Sequence, residues 1–350
     1  MARLATTTLL ILGAALCGHA ASALGAPLPY MLGPLALTAL VATLIPHRLP
    51  EGYLFPPALR LTFIAVIGLM IGAQVTPALF DNAGRLGVSA AALALFVVVA
   101  MAVNYAIFRR LGGYDPATAF YAGAPGGLYE SIAMGEATDA DLPRLMLQQF
   151  MRIILVVTAL PVGLSLWLGG PVGSSAGLSF AGGAVPWQAL PWLVIAGAAG
   201  LALGRALRLP AGQITGPMAV AAALSLSGLG HLDVPQWLVN AAQVVIGAAL
   251  GMRFTGIGPA MILRGAGLSV LSVSTMLLLA AGIATLLRPA LGEHFDVLLI
   301  SFAPGGVTEM ALIALSLEAN PAFVTLHHIL RILITVLGIG LSGRVLKRRL

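Results

Sequence analysis

The chain has 350 residues, of which 59% are hydrophobic and only 9% charged, with a mean hydropathy of +1.00. Soluble domains carry about 25% charged residues, so this composition excludes one and describes an all-α integral membrane protein whose first partner is the lipid bilayer. The net charge of +6 and isoelectric point near 10.1 do not indicate nucleic-acid binding, because the basic residues are scattered over short loops and no polar domain is left to read DNA.

In chain order, apolar segments run over 4–22, 29–45, 57–77, 86–109, 117–136 and 142–168. A second set runs over 187–207, 212–230, 236–254, 262–288, 296–317 and 322–346. Most approach the ~20 residues a spanning helix needs. Arg3, an apolar run and small residues up to Ala26 have the outline of a signal peptide. The segment has a counterpart at 186–207 that cannot be cleaved off, so it is expected to stay as the first span. Its Cys17 is the single cysteine, which excludes an internal disulfide or multi-thiolate metal site. Between the sets, Gly169 to Val185 is charge-free and rich in Gly and Ser, as a linker is. The expected organisation is therefore a first membrane repeat, 1–168, a linker, 169–185, and a second membrane repeat, 186–350.

The two sets are related. Ala124-Pro125-Gly126-Gly127-Leu128-Tyr129-Glu130 returns as Ala303-Pro304-Gly305-Gly306-Val307-Thr308-Glu309, a shift of 179 residues. The same shift carries Val66-Ile67-Gly68 and Gly72 onto Val245-Ile246-Gly247 and Gly251. It also carries Thr76 onto Thr255, Arg85 onto Arg264, Arg109 onto Arg288 and Arg152 onto Arg331. Leu32-Gly33-Pro34-Leu35 pairs with Thr215-Gly216-Pro217-Met218 at a shift of 183. Such self-similarity marks an internal duplication.

Lys and Arg in short loops set the expected orientation. Arg344, Lys347, Arg348 and Arg349 place the C-terminus in the cytoplasm, and the charge-free linker outside. The basic loops (His47, Arg48, Arg60, Arg109 and Arg110; then Arg205, Arg208, Arg253 and Arg264) alternate out of phase between the halves. That is the pattern of an inverted repeat. Six full crossings per half would point both halves the same way, so one segment in each is expected to be a broken or re-entrant helix, within about 10–12 membrane segments in all. The Pro-Gly-Gly segments are the candidates.

At such a break Pro removes a backbone donor and paired Gly weakens the helix, freeing C=O groups before it and N–H groups after it. The freed N–H end suits an anion and the carbonyl end a cation. Pro125, Gly126, Gly127, Pro304, Gly305 and Gly306 thus frame a candidate ion-coupling and substrate-binding site; a kink that only aids packing is the plainer alternative. Glu130 and Glu309 follow three residues after the second Gly. In a membrane they are H+- or Na+-coupling groups, or else partners in permanent ion pairs or caps. Arg152 and Arg331 each lie 22 residues after their Glu and either clamp an anionic solute or neutralise the acids.

Gln149 and its neighbour Gln148 share the face of Arg152, as His327 and His328 share that of Arg331. Histidines there can shuttle protons. Adjacent histidines point in different directions, so even with Glu309 and Glu318 they form no metal set, and no cofactor or catalytic group is read. The GxxxG pairs Gly68/Gly72 and Gly247/Gly251 are expected to pack helices closely. Gly33-Pro34 and Gly216-Pro217 are expected to start or kink a helix, and Glu136, Asp139 and Asp141 to form a solvated loop.

Leu-Gly-Pro early, Ala-Pro-Gly-Gly followed by Glu in the middle, and a late helix with Gln-Gln or His-His and then Arg resemble the AbrB-type membrane protein family over nearly the whole chain. Its members have been labelled both transcriptional regulator and ammonia monooxygenase. The pattern is more distantly similar to cation/proton antiporters and anion transporters built from inverted repeats. The resemblance implies a transporter-like fold and a multi-pass protein of the bacterial inner membrane. The expected function is secondary transport, not enzymatic, of a small anionic or weakly acidic solute coupled to H+ or Na+. A homo-oligomer stays open. Two other functions remain: a membrane regulator or sensor that alters gene expression indirectly, and a monooxygenase, for which the sequence offers neither a redox-metal cluster nor a dinucleotide motif.

Overall fold

Each apolar segment becomes one helix, except the two with Pro-Gly-Gly, which become two each. A computed structural model describes residues 2–75, 83–170, 189–209, 211–228, 232–317 and 321–346. Most of the 169–185 linker, Thr76, Glu318, Lys347, Arg348 and Arg349 lie outside the described residues. The first half forms α1 (Ala2–Ala23), α2 (Pro29–Leu44), α3 (Pro57–Ala73), α4 (Ala83–Ala106), α5 (Pro116–Ala122), α6 (Leu128–Glu136) and α7 (Leu142–Leu168). The second forms α8 (Leu190–Ala206), α9 (Gly212–Ser227), α10 (Gln236–Gly251), α11 (Pro259–Leu291), α12 (Phe295–Phe302), α13 (Val307–Ser316) and α14 (Pro321–Leu346). There is no strand among the described residues.

Among the described residues, six stretches are long and apolar enough to cross a bilayer: Ala2–Ala23, Gly84–Leu111, Leu142–Leu168, Gln236–Phe254, Pro259–Leu291 and Pro321–Leu341. The chain is thus built as a multi-pass membrane protein. It divides into two compact units, and each draws on both halves. One comprises Met1–Asp81, Thr158–Gly256 and Ala311–Ala322; the other comprises Asn82–Val157, Ile257–Met310 and Phe323–Leu350.

Within the first unit the halves exchange partners: α3 packs on α9, and α10 packs on α2. The GxxxG glycines make this possible. A Cβ on Gly68 would stand 2.5 Å from the Ile214 carbonyl oxygen, and one on Gly72 2.8 Å from Ala221 Cβ. Reciprocally, Gly251 faces the Leu35 carbonyl oxygen at 2.5 Å, and Gly247 faces Met31. Backbones this close gain dispersion contacts that larger residues would forbid. The Gly-Pro pairs do not start helices, which begin at Pro29 and Gly212. They lie inside α2 and α9, where Gly33 abuts the Cys17 backbone and Gly216 abuts Gly200. Helix entry is made instead by Leu28 and Ala211, both left-handed with φ of 42° and 49°. These two are again 183 residues apart, so even the unfavourable backbone is duplicated.

Within the second unit, α4 packs on α11 and α5, and α11 on α12. Asp115 starts α5 by accepting the Thr118 N–H at 2.8 Å, with Pro116 pre-set for the first turn. Asp141, from the acidic loop, accepts the Arg144 N–H at 3.2 Å at the start of α7 and pairs with its guanidinium at 3.1 Å.

Candidate functional site

All the site residues read from the sequence fall in the second unit. α5 ends at Ala122, and the chain passes through Ala124, Pro125 and Gly126 before α6 begins. Gly127 caps α6 with φ of 62°, a left-handed conformation that glycine takes without the Cβ penalty. In the second half, Ala303, Pro304, Gly305 and Gly306 separate α12 from α13. Ala124 through Leu128 are buried, as are Ala303 through Gly305.

Each break is tied to the last helix of its own half. Arg152, on α7, donates to the Ala124 carbonyl. Arg331, on α14, donates to the Ala303 carbonyl and, at 2.5 Å, to that of Gly305. A guanidinium suits this place because the freed carbonyls at a helix C-terminus carry partial negative charge. Arg331 is only 1% exposed and Arg152 5%, and the two positive charges repel one another.

Gln149 and His328 occupy equivalent positions and do the same work. Gln149 Nε2 donates to the carbonyls of Tyr121 at 2.9 Å and Ala124 at 3.2 Å. His328 Nε2 donates to the Ile300 carbonyl at 3.1 Å, and Ile300 is the counterpart of Tyr121. Neighbouring Gln148 and His327 turn elsewhere. Gln148 accepts from Ser269 on α11 at 2.7 Å. His327 Nδ1 donates to the Phe323 carbonyl at 2.8 Å, so its neutral ring accepts the Ser89 hydroxyl through Nε2 at 2.5 Å. The ring packs against Phe323 and Phe302, with centroids at 4.3 and 5.9 Å.

The acids stand at the third helical position after each break. The Glu130 carboxylate lies back towards Gly127 and that of Glu309 towards Gly306, the placement that the N-terminal end of a helix dipole favours. Glu130 is exposed and Glu309 half-buried. Among the described residues, no salt bridge includes Glu130. The first break also meets the last helix of the second half: a Cβ on Gly126 would lie 3.2 Å from Thr335 Oγ1 and 3.6 Å from Arg331 Nε.

Thr325 and Thr335 are buried on α14 and were passed over in the sequence, where a lone threonine in an apolar helix looks unremarkable. The comparison that finds them is internal, since their counterparts on α7 are Met146 and Val156. Among the described residues, no group of three His, Cys, Asp or Glu is placed to hold a metal ion.

The family model described as "Transition state regulatory protein AbrB" matches residues 30–347. The chain is 27% identical over 290 residues to "Uncharacterized protein YhjN" of Bacillus subtilis (strain 168), covering 77% of this chain and 73% of that one. It is 25% identical over 268 residues to "Putative regulator AbrB" of Escherichia coli (strain K12), covering 77% of each. No solved structure matches it.

Proposed function

The chain belongs to the AbrB family, and from that premise we propose that it is a secondary transporter of a small anionic or weakly acidic solute coupled to H+ or Na+. The observation that carries this reading is that a buried arginine stands at each of two interrupted helices, Arg152 on the Ala124 carbonyl and Arg331 on those of Ala303 and Gly305. A buried cationic group at each break draws in an anionic solute. The half-helix N-termini of α6 and α13 add donors of the same sign. Neither arginine is free to leave its carbonyls cheaply, so the cationic pair is a fixed feature of the site.

In this reading Glu130 and Glu309 take up and release the coupling ion beside the half-helix starts, where a carboxylate and a solute anion compete for one positive end. The two halves act as an inverted repeat, with the broken segments meeting at mid-membrane and alternating access arising from one group of helices rocking against another. The exchange of α2 and α3 with α10 and α9 supports a two-fold relation between the halves.

The reading is tested by reconstituting the protein in proteoliposomes and measuring solute flux driven by a pH or Na+ gradient. Glu130→Gln and Glu309→Gln should abolish coupled flux while inserting normally. The name of the Escherichia coli relative favours a second reading, a membrane regulator that senses a solute without moving it. Binding with no flux of the bound solute would select that reading.

A further inference from the structure

Gln149 Oε1, Thr325 Oγ1, His328 Nδ1, Arg331 Nε and Thr335 Oγ1 are buried polar atoms with no hydrogen-bond partner among the described residues. Each of these residues is at most 1% exposed. Native interiors rarely leave such atoms unmatched, and a cluster of them calls for a ligand or water to complete it. Thr325, His328, Arg331 and Thr335 follow one another on α14 at spacings of 3, 3 and 4 residues, which gathers them on one stripe of the helix.

Their roles are set by what they already bond. Arg331 Nε–H can only donate, and Thr335 stands one turn further along the same face. Both converge on Gly126, the residue before the cap of the nine-residue helix α6. His328 spends its Nε2 proton on Ile300, so Nδ1 of the neutral ring is left as an acceptor. Gln149 spends its amide N–H groups on the carbonyls of the first break, which leaves Oε1 as a second acceptor. Gln149, Arg331 and Thr335 sit around the first break, and His328 lies one turn from Arg331 on the same stripe of α14. The site is also one-sided, since α7 carries Met146 and Val156 where α14 carries Thr325 and Thr335.

We infer that the solute is a small hydroxycarboxylate seated against α14 at Gly126. This rests on the transporter reading for its use, though not for its binding. The carboxylate accepts from Arg331 Nε–H and Thr335 O–H beside the start of α6, and the hydroxyl donates to His328 Nδ1 or Gln149 Oε1. A carboxylate without the hydroxyl leaves both acceptors unmatched. An ammonium in place of the hydroxyl meets the buried Arg331 guanidinium and is rejected.

The test is thermal melting of the purified full-length protein with lactate or propionate at matched pH and ionic strength. Lactate should raise the melting temperature in a saturable way. Propionate should bind at least about tenfold more weakly, because a site built to pair a hydroxyl discriminates against its loss. Thr335→Val should weaken lactate binding by about tenfold without lowering the melting temperature of the unliganded protein, since it removes a hydroxyl that has no internal partner. Thr335→Ser should retain binding. Equal stabilisation by the two acids, wild-type lactate binding in Thr335→Val, or stabilisation by neither acid would overturn the inference. Lactate binding without lactate flux keeps the inference and removes the transporter reading. Coupled flux of a solute that lacks a hydroxyl does the reverse.

Discussion

Gln149 and His328, 179 residues apart, hold the same backbone carbonyl in their two halves, that of Tyr121 in one and of Ile300 in the other. The duplication therefore preserves a hydrogen bond while changing the residue that makes it. A histidine here is a carbonyl-binding group, and a glutamine can replace it.

His328→Gln is accordingly expected to fold and bind as the wild type does, with the amide taking over the Ile300 carbonyl. His328→Ala should cost about 1–3 kcal/mol, because it leaves that buried carbonyl unmatched. Melting temperatures in detergent distinguish the two. A Gln variant as damaged as the Ala variant would show that protonation of the ring, not carbonyl bonding, is what the position requires.

The exchanged packing of the first unit makes a second prediction. Gly72→Ala places a methyl 2.8 Å from Ala221 Cβ, and Gly68→Ala places one 2.5 Å from the Ile214 carbonyl oxygen. Neither neighbour is the end of a flexible side chain, so each substitution should cost about 1–3 kcal/mol through overpacking. Gly84→Ala and Gly282→Ala are the controls, since nothing lies within 4 Å of the added carbon. Comparable losses at all four positions would point to helix flexibility rather than close approach.

Asp115 supplies a pH dependence. Burial disfavours its charge, but hydrogen bonds from the Thr118 side chain and from backbone N–H groups of the first turn outweigh this and hold its pKa below the usual value. A group depressed on folding stabilises above its unfolded pKa, about 3.9, and that stability is lost as pH falls through the folded value. Asp115→Ala should cost about 1 kcal/mol at neutral pH. The gap between variant and wild type should close as the pH is taken below about 4. A gap that persists in acid would assign the loss to packing instead.

Much of this architecture was legible in the chain. Hydropathy located the α-helices of the described residues, because each apolar run must satisfy its own backbone in a membrane. Pro125 and Pro304, each with its paired glycines, located both breaks, since the lost donor and the unpenalised φ act locally. The backbone partners of Arg152 and Arg331 were not legible. Their guanidinium groups bond to the carbonyls of Ala124, Ala303 and Gly305, which leave no mark in side-chain chemistry. That Gly33-Pro34 and Gly216-Pro217 lie inside helices rather than at their starts was not legible for a related reason. Pro at a helix start and Gly at a helix contact look alike until the neighbouring backbone is known.

The central claim is that Glu130 and Glu309 exchange a coupling ion as a solute anion crosses between the two breaks. Its most direct measurement follows internal pH and internal Na+ in proteoliposomes while small carboxylates are added outside. On this account at least one acid moves H+ or Na+ with it, and Glu130→Gln and Glu309→Gln each abolish that movement. Ion movement unchanged in both Gln variants, or no carboxylate able to drive any, would contradict it.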